Sequence, residues 1–201
     1  MRTSDQEALW VLRAQLDDQE ALELLLRGVQ PSLRGFLTGL VGPSDADDVL
    51  QDVLVLIYRK LRWLQSPELF RPWAFRIASR AGFRHVKRRR RWAAHVQDEV
   101  PLDDVAATDT RFDARRLQEL LTANQISPGS SAVLILHFQE EMSLAEVAAV
   151  LEVPLGTVKS RLAYGLAALR KRLGPSGNKC VILGAEAPGR QGARSEHSGT
   201  M

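Results

Sequence analysis

Side chains that can bind a nucleic acid are concentrated near the C-terminal end of this 201-residue chain. Between Gly156 and Leu173, hydrogen-bond donors and positive charges recur, and no acidic residue interrupts them. Those on one face of the predicted helix and its flanks are Thr157, Lys159, Ser160, Arg161, Tyr164 and Lys171. Hydroxyl, ammonium and guanidinium groups pair with base edges and phosphates, so the stretch predicts DNA contact rather than catalysis.

The apolar residues around these donors predict a helix, a turn and a second helix. Ser143 with Glu146 three residues later forms a capping box, so a helix is expected to begin there. Pro154 interrupts the pattern because it has no amide hydrogen and disfavours helical angles at Val153. A second apolar stripe at helical spacing consists of Leu155, Val158, Leu162, Leu166, Leu169 and Leu173. The pattern favours a helix-turn-helix that reads DNA, and an ordinary helical hairpin with a solvated basic face is the alternative.

A second basic stretch is predicted to form a helix from Leu69 to about Ala94, again without an acidic residue after Glu68. Its basic residues are Arg71, Arg76, Arg80, Arg84, Lys87 and Arg88 through Arg91, and the aromatic residues in or beside it are Trp63, Phe70, Trp73 and Trp92. Arginines that hold phosphates and aromatic rings that stack on bases suit single-stranded or melted DNA. Trp73 lies at core spacing and is interpreted as structural. For the basic stretch as a whole, the alternative is a charged face that is only solvated.

A third candidate surface lies on the predicted helix that follows Ser44. Ser44 is expected to cap it, with acids in the first turn, where the helix dipole favours them. Its polar face gathers Asp48, Gln51, Asp52, Val55, Arg59 and Arg62. A mixed face with a bare valine at its middle suits docking of a partner helix. A solvated face is the main alternative, and a metal site is disfavoured because no histidine or second segment accompanies the acids.

Composition narrows the functional classes. The formal net charge is +3, from 27 basic and 24 acidic residues, so its distribution matters more than its size. One cysteine excludes an internal disulfide and a cysteine zinc cluster. The N-terminus does not read as a signal peptide and no apolar run is long enough for a bilayer, so a cytoplasmic protein is expected. The histidines are scattered and no glycine-rich phosphate loop is present, so we expect neither an enzyme nor a cofactor.

The predicted fold is all-α, with two small helical domains joined by a flexible linker. The first domain is expected over residues 1–94, an acidic linker over 95–111 and the second domain over 112–173. Residues 174–201 are rich in Gly, Ala and Ser and are expected to be a disordered tail. The first domain should begin with helices at 5–15 and 18–40, with a break or kink near 28–32 caused by Gly28 and Pro31. The second should include helices at 112–124 and 130–139.

Three motifs, in this order, resemble an extracytoplasmic-function sigma factor. DADDVLQD at 45–52 resembles region 2.2 of that family, and FRPWAFRIASRAGFRHVKRRRR at 70–91 resembles regions 2.3 and 2.4. SLAEVAAVLEVPLGTVKSRL at 143–162 is similar to region 4.2. The resemblance covers about residues 7–173. It implies that the first domain is a sigma region 2 bundle and the second a sigma region 4 helix-turn-helix.

The resemblance also implies a function without chemistry of its own. Such a protein binds core RNA polymerase, recognises the minus-thirty-five and minus-ten promoter elements and promotes strand opening. The polymerase-binding residues would be Asp48, Gln51, Asp52, Val55 and Arg59. The minus-ten residues would be Arg62, Trp63, Arg76, Arg80, Arg84, Lys87 and Arg88, and the minus-thirty-five residues Gly156, Thr157, Lys159, Ser160, Arg161 and Tyr164. The implied partners are the polymerase clamp helices and flap, promoter DNA and an anti-sigma factor, without membrane insertion.

The chain departs from the family pattern in its minus-ten helix, where members often have Asn and Asp in place of Arg80 and Arg84. The helix is therefore more basic than usual. One rival interpretation is a transcriptional regulator with an N-terminal sensor domain. That interpretation requires a βα-patterned receiver or a ligand-binding domain, whereas the N-terminal half reads as helical throughout.

Overall fold

The computed structural model describes residues 3–93 and 126–177, with side-chain surroundings for residues 5–89 and 126–171. The N-terminal half contains α1 (Thr3–Gln15), α2 (Gln19–Val41), α3 (Ala46–Lys60) and α4 (Phe70–Ala93). The C-terminal half contains α5 (Pro128–Phe138), α6 (Leu144–Leu151) and α7 (Leu155–Gly177). Short 3-10 turns at Leu61–Trp63 and Pro67–Leu69 connect α3 to α4. These ranges contain no strand, which confirms the predicted all-α class.

Helix α2 is the centre of the N-terminal half and contacts α1, α3 and α4. The rings of Phe36 and Phe75 meet edge to face, 5.5 Å apart, where α2 crosses α4. A break near 28–32 does not occur, because α2 continues through Pro31, and the kink expected there as the alternative stays a prediction. A proline inside a helix costs about 3 kcal/mol, but burying each side chain such as Val29 or Leu33 contributes roughly 1.5–3 kcal/mol. Both of those side chains are fully buried, so tertiary packing outweighs the local preference.

The start of α3 differs from the prediction that Ser44 caps it. Asp45 occupies the N-cap position, and the Ser44 hydroxyl donates to its carboxylate at 3.0 Å. The other oxygen of Asp45 lies 2.9 Å from Nε2 of His85 and 3.2 Å from a guanidinium nitrogen of Arg89. The hydrogen bond with His85 is the main cause that lowers the pKa of Asp45. The carboxylate therefore ties the start of α3 to α4 instead of capping its own helix.

The C-terminal half contains the predicted helix-turn-helix pair. The backbone N–H of Glu146 donates to the Ser143 hydroxyl at 3.3 Å, and the N–H of Ser143 donates to the Glu146 carboxylate at 2.8 Å, which confirms the capping box. Glu152 ends α6 in the left-handed conformation, with φ of 56°. Helix α7 packs closely on α5, since a β-carbon on Gly165 would lie 2.8 Å from Leu134.

The apolar stripe predicted for α7 is only partly correct. Four of its members are buried: Val158, Leu162, Leu166 and Leu169. Leu155, at the first position of the helix, is exposed, so its predicted core role is wrong. The side chain of Leu173 lies outside the described side chains.

The two halves pack against one another through α2 with α5 and α4 with α6. Buried apolar side chains from both halves form one continuous cluster. The acidic linker predicted at 95–111, the helix predicted at 112–124 and the tail beyond residue 177 lie outside the described residues. No helix in the described ranges combines the length and the apolar character needed to cross a membrane.

Candidate nucleic-acid and polymerase interfaces

The five residues predicted to bind polymerase share an exposed face of α3. They are Asp48, Gln51, Asp52, Val55 and Arg59. Val49, Val53 and Ile57 on the opposite face are buried in the core, so the exposed face is held rigidly. Tyr58 is 61% exposed and is a further member of this surface, because helical spacing, three positions after Val55, places it at the edge of the same face. The described residues contain no cluster of acids, histidines or cysteines arranged to hold a metal ion.

A groove of about 550 Å³ runs between this face and α4. From α3 it is lined by Asp52, Val55 and Arg59 among others, and from α4 by residues that include Arg84, His85 and Arg88. The candidate polymerase face and part of the candidate minus-ten face therefore border one groove.

Two of the predicted minus-ten residues occupy the 3-10 turn after α3. Trp63 is 67% exposed, and the guanidinium carbon of Arg62 lies 5.2 Å from the centre of its ring system. The side-chain amide of Gln15 donates to the carbonyls of Leu61 and Leu64, at 2.9 and 2.8 Å. These bonds fix the turn to α1. The exposed ring of Trp63 and the adjacent guanidinium of Arg62 are therefore held in place at the surface.

The remaining minus-ten candidates on α4 fall into two groups. Arg84, Lys87 and Arg88 are exposed. Arg76 is half-buried, and its Nε atom has no hydrogen-bond partner among the described residues. Arg80 pairs with Glu152, which follows α6. The structure therefore leaves three of these basic residues open and places Arg76 and Arg80 beside the C-terminal half.

The partner of Arg80 is not predictable from the local sequence. Glu152 lies 72 residues further along the chain, so no local pattern relates the two. The interpretation of Trp73 agrees with the structure: its ring packs beside Phe70 at 6.1 Å and is partly buried against the core.

The six predicted minus-thirty-five residues lie on the first turns of α7 but differ in exposure. Gly156, Lys159 and Tyr164 are exposed, while Thr157, Ser160 and Arg161 are half-buried. The Ser160 hydroxyl donates to the Thr157 carbonyl at 3.1 Å, a bond within the helix. Burial lowers the pKa of the Arg161 guanidinium.

Arg161 owes its burial to α5. A β-carbon on Gly129 would come within 3.1 Å of Nε of Arg161, so the guanidinium lies directly against the first turn of that helix. The six predicted minus-thirty-five residues are therefore not equivalent, because the Arg161 side chain packs against α5 and is only partly exposed.

Two family models match this chain. Residues 25–92 match the model described as Sigma-70 region 2, and residues 124–171 match the model described as Sigma-70, region 4. The chain is 31% identical to the RNA polymerase sigma-E factor of Streptomyces coelicolor over 137 residues, which cover 65% of this chain and 73% of that protein. It is 27% identical to the RNA polymerase sigma-H factor of Pseudomonas aeruginosa over 195 residues, covering 87% and 97% of the two chains. It is 24% identical to the ECF RNA polymerase sigma-E factor of Escherichia coli K12, covering 82% and 93%.

Two solved structures have a similar fold. CnrH, in its complex with the cytosolic domain of CnrY, superposes with a TM-score of 0.60 at 23% identity, covering 84% of this chain and 97% of that one. The sigma factor RpoE of Bartonella quintana, in a complex with the anti-sigma factor NepR, superposes with a TM-score of 0.57 at 25% identity. That match covers 75% of this chain and 94% of the other.

Proposed function

Because this chain belongs to the extracytoplasmic-function group of RNA polymerase sigma factors, we propose that it binds core polymerase, recognises the minus-thirty-five and minus-ten promoter elements and promotes strand opening. Proteins of this family act in transcription initiation and regulate transcription rather than catalyse it. The observation that supports the finer proposal is the presence of exposed surfaces on α3, on the turn with α4 and on α7, of which the first two border one groove.

The α3 face is the proposed polymerase contact. Its first turns carry Asp48 and Asp52, its middle carries the exposed Val55, and its end carries Arg59. Such a charge gradient around an apolar centre selects a helix of complementary charge and fixes its direction. The family resemblance identifies that helix with the clamp helices of the largest polymerase subunit.

The turn with Trp63 and the exposed arginines of α4 are the proposed minus-ten contact. A base that leaves the duplex loses its stacking, and an exposed indole beside Arg62 replaces it. The positive charges of Arg84, Lys87 and Arg88 lie further along the same helix, where they can hold the phosphates of the opened strand.

The N-terminal turns of α7 are the proposed minus-thirty-five contact. The second helix of a helix-turn-helix enters the major groove with its N-terminal residues, and its unpaired backbone N–H groups favour phosphate. Lys159 and Tyr164 are exposed there and would contact DNA directly. Arg161 would contact DNA from a position held by Gly129.

A regulatory partner is part of the proposal. RpoE of Bartonella quintana has been solved with an anti-sigma factor, and its structure is similar to this one. We extend that kind of partner to this chain, where it would compete for the faces just described. Core polymerase and promoter DNA would make the cytoplasm the place of action.

Association with core polymerase tests the proposal. The purified chain, mixed with core polymerase, is expected to co-elute with it on gel filtration and to retain promoter-containing duplex more tightly with the polymerase than alone. A chain that never associates with core polymerase but still binds duplex would be a general DNA-binding protein, and the proposal would fail.

A further inference from the structure

The groove between α3 and α4 has charged side chains on both walls and an apolar base. Val49 and Ala81 line it and are buried, so they form the base. Val55 and Leu56 add apolar surface from α3. The charged and exposed members are Asp52 and Arg59 on α3 and Arg84 and Arg88 on α4. The groove therefore offers apolar surface and positive charge to the same ligand.

The three arginines of the groove have no carboxylate partner within the ranges that the structure describes. In those ranges, six other arginines each pair with an acid: Arg13, Arg27, Arg34, Arg71, Arg80 and Arg89. Among the residues that line the groove, guanidiniums outnumber carboxylates by three to one. The groove therefore attracts an anion rather than a cation.

One of these guanidiniums is held in position by His85. Nη2 of Arg88 lies 3.3 Å from Nδ1 of the imidazole. A guanidinium can only donate, so Nδ1 accepts, and the ring proton is on Nε2, which donates to the Asp45 carboxylate at 2.9 Å. Asp45 in turn accepts from the Ser44 hydroxyl at 3.0 Å. This chain of bonds orients Arg88 before a ligand arrives, which lowers the entropy lost on binding.

The chemistry of the lining indicates the class of ligand. A guanidinium pairs with phosphate oxygens through two parallel N–H···O bonds. Arg59 approaches from one wall and Arg84 and Arg88 from the other, so consecutive phosphates have enough oxygens to engage both walls. The volume of about 550 Å³ falls in the range of small-molecule sites, roughly 300–1,000 Å³. The apolar base suits a flat ring.

We propose that the groove between α3 and α4 binds a free nucleoside polyphosphate. Arg59, Arg84 and Arg88 hold its phosphates, and its base lies against the apolar lining. His85 acts as a positioning residue for Arg88. The site rests on the lining of the groove and does not require the proposed function.

Equilibrium dialysis of the full chain tests the site with ATP, AMP and inorganic triphosphate as probes. ATP is expected to bind, and AMP should bind at least about tenfold more weakly because it cannot engage both walls. Inorganic triphosphate should also bind more weakly than ATP, because it leaves the apolar base exposed to water. Absence of ATP binding, or equal affinity of ATP with either of the other probes, overturns the proposal.

A double variant locates the site. Arg84→Gln with Arg88→Gln should weaken ATP binding at least about tenfold, because two guanidinium contacts are lost. The matched control is Arg27→Gln with Lys60→Gln, which removes two exposed positive charges outside the groove and changes the net charge equally. Equal loss in the two variants would mean a general attraction to positive surface and would overturn the site.

Arg59→Gln separates a free nucleotide from a strand of nucleic acid. Arg59 lies on the α3 wall and is not among the residues proposed to hold the opened strand. The variant should lose roughly threefold to tenfold in ATP affinity and keep its affinity for a fluorescein-labelled single strand of random sequence. Equal loss of both would assign the groove to the strand and overturn the proposal.

Two further readouts keep the outcomes distinct. All these variants change exposed side chains, so the helical content measured by circular dichroism should match that of the unmodified chain. The polymerase assay separates the site from the proposed function. A chain that binds ATP as expected but never associates with core polymerase contradicts only the function.

Discussion

The guanidinium of Arg161 in α7 lies against Gly129 in α5, where a β-carbon would approach its Nε atom to 3.1 Å. Arg161, a candidate for contact with DNA bases, is therefore half-buried against the neighbouring helix. The contact orients the side chain before DNA arrives, which lowers the entropy lost on binding.

This contact predicts different outcomes for neighbouring residues of α7. Arg161→Ala should lower both the thermal midpoint and the affinity for minus-thirty-five duplex, because it removes packing as well as charge. Lys159→Ala should leave the midpoint unchanged and reduce the salt dependence of binding by about one phosphate contact. Thermal unfolding and duplex titrations at several salt concentrations measure both. An Arg161→Ala protein with an unchanged midpoint would contradict the packing role.

The same residues should separate DNA binding from polymerase binding. Ser160→Ala with Arg161→Ala is expected to abolish promoter selection while core polymerase still co-elutes with the chain. Promoter binding by the holoenzyme and gel filtration with core polymerase measure the two properties. Equal loss of both would contradict the division between α7 and α3.

Asp48→Arg should impair polymerase binding and leave DNA binding intact. It reverses a charge on the exposed α3 face without reaching the core, so polymerase affinity should fall by at least about tenfold, while isolated duplex binding is unchanged. Glu20→Arg is the matched control, because Glu20 occupies the equivalent first turn of α2 and is also exposed. Surface plasmon resonance on immobilised core polymerase gives the polymerase affinity of each variant, and a duplex titration without polymerase gives its DNA affinity. Equal loss in the two variants would mean that the α3 face has no special role.

Trp63→Ala should weaken capture of an opened strand. Removal of one stacking platform costs about 1–3 kcal/mol per base, which corresponds to roughly 5- to 150-fold in affinity. Trp63→Phe should retain part of the affinity, and Leu12→Ala removes a similarly exposed apolar side chain from α1 as a control. Binding of the holoenzyme to a fork-junction DNA is the measurement. A Trp63→Ala holoenzyme with unchanged binding would exclude the stacking role.

Asp45 gives a prediction for pH. Its pKa is lowered mainly by the hydrogen bond with His85, so its contribution to stability is present above its ordinary value of 3.8 and is lost as pH falls through the lower folded-state pKa. Asp45→Asn removes this contribution at neutral pH, by about 1 kcal/mol or less. Urea unfolding between neutral pH and acid should show the two proteins converging as pH falls below about 4. A stability difference that stays constant over this range would exclude the Asp45 contribution.

Elements set by nearby residues could be predicted from sequence, whereas those set by distant partners could not. The capping box of α6 needs residues only three apart, and the apolar stripes of α2 and α3 repeat every turn. The N-cap position falls on Asp45 rather than on Ser44, and the Asp45 carboxylate bonds with His85, 40 residues further along the chain, which no local pattern predicts. A break does not occur at Pro31, because packing on both sides of the proline holds the helix.

The candidate site follows the same division. The exposed α3 face could be predicted because a helix that buries Val49, Val53 and Ile57 must expose the opposite residues. The burial of Arg161 could not, since it depends on the approach of a glycine from another helix. Nor could the pairing of Arg80 with Glu152, which only the packing of the two halves brings together.

Run-off transcription tests the central claim most directly. Core polymerase is incubated with a library of genomic fragments, with and without the purified chain, and transcript starts are mapped. We expect a small set of discrete starts that require the chain, share two sequence elements upstream and disappear with Asp48→Arg but not with Glu20→Arg. The same starts with and without the chain, or none in either reaction while the chain binds duplex, would contradict its function as a sigma factor.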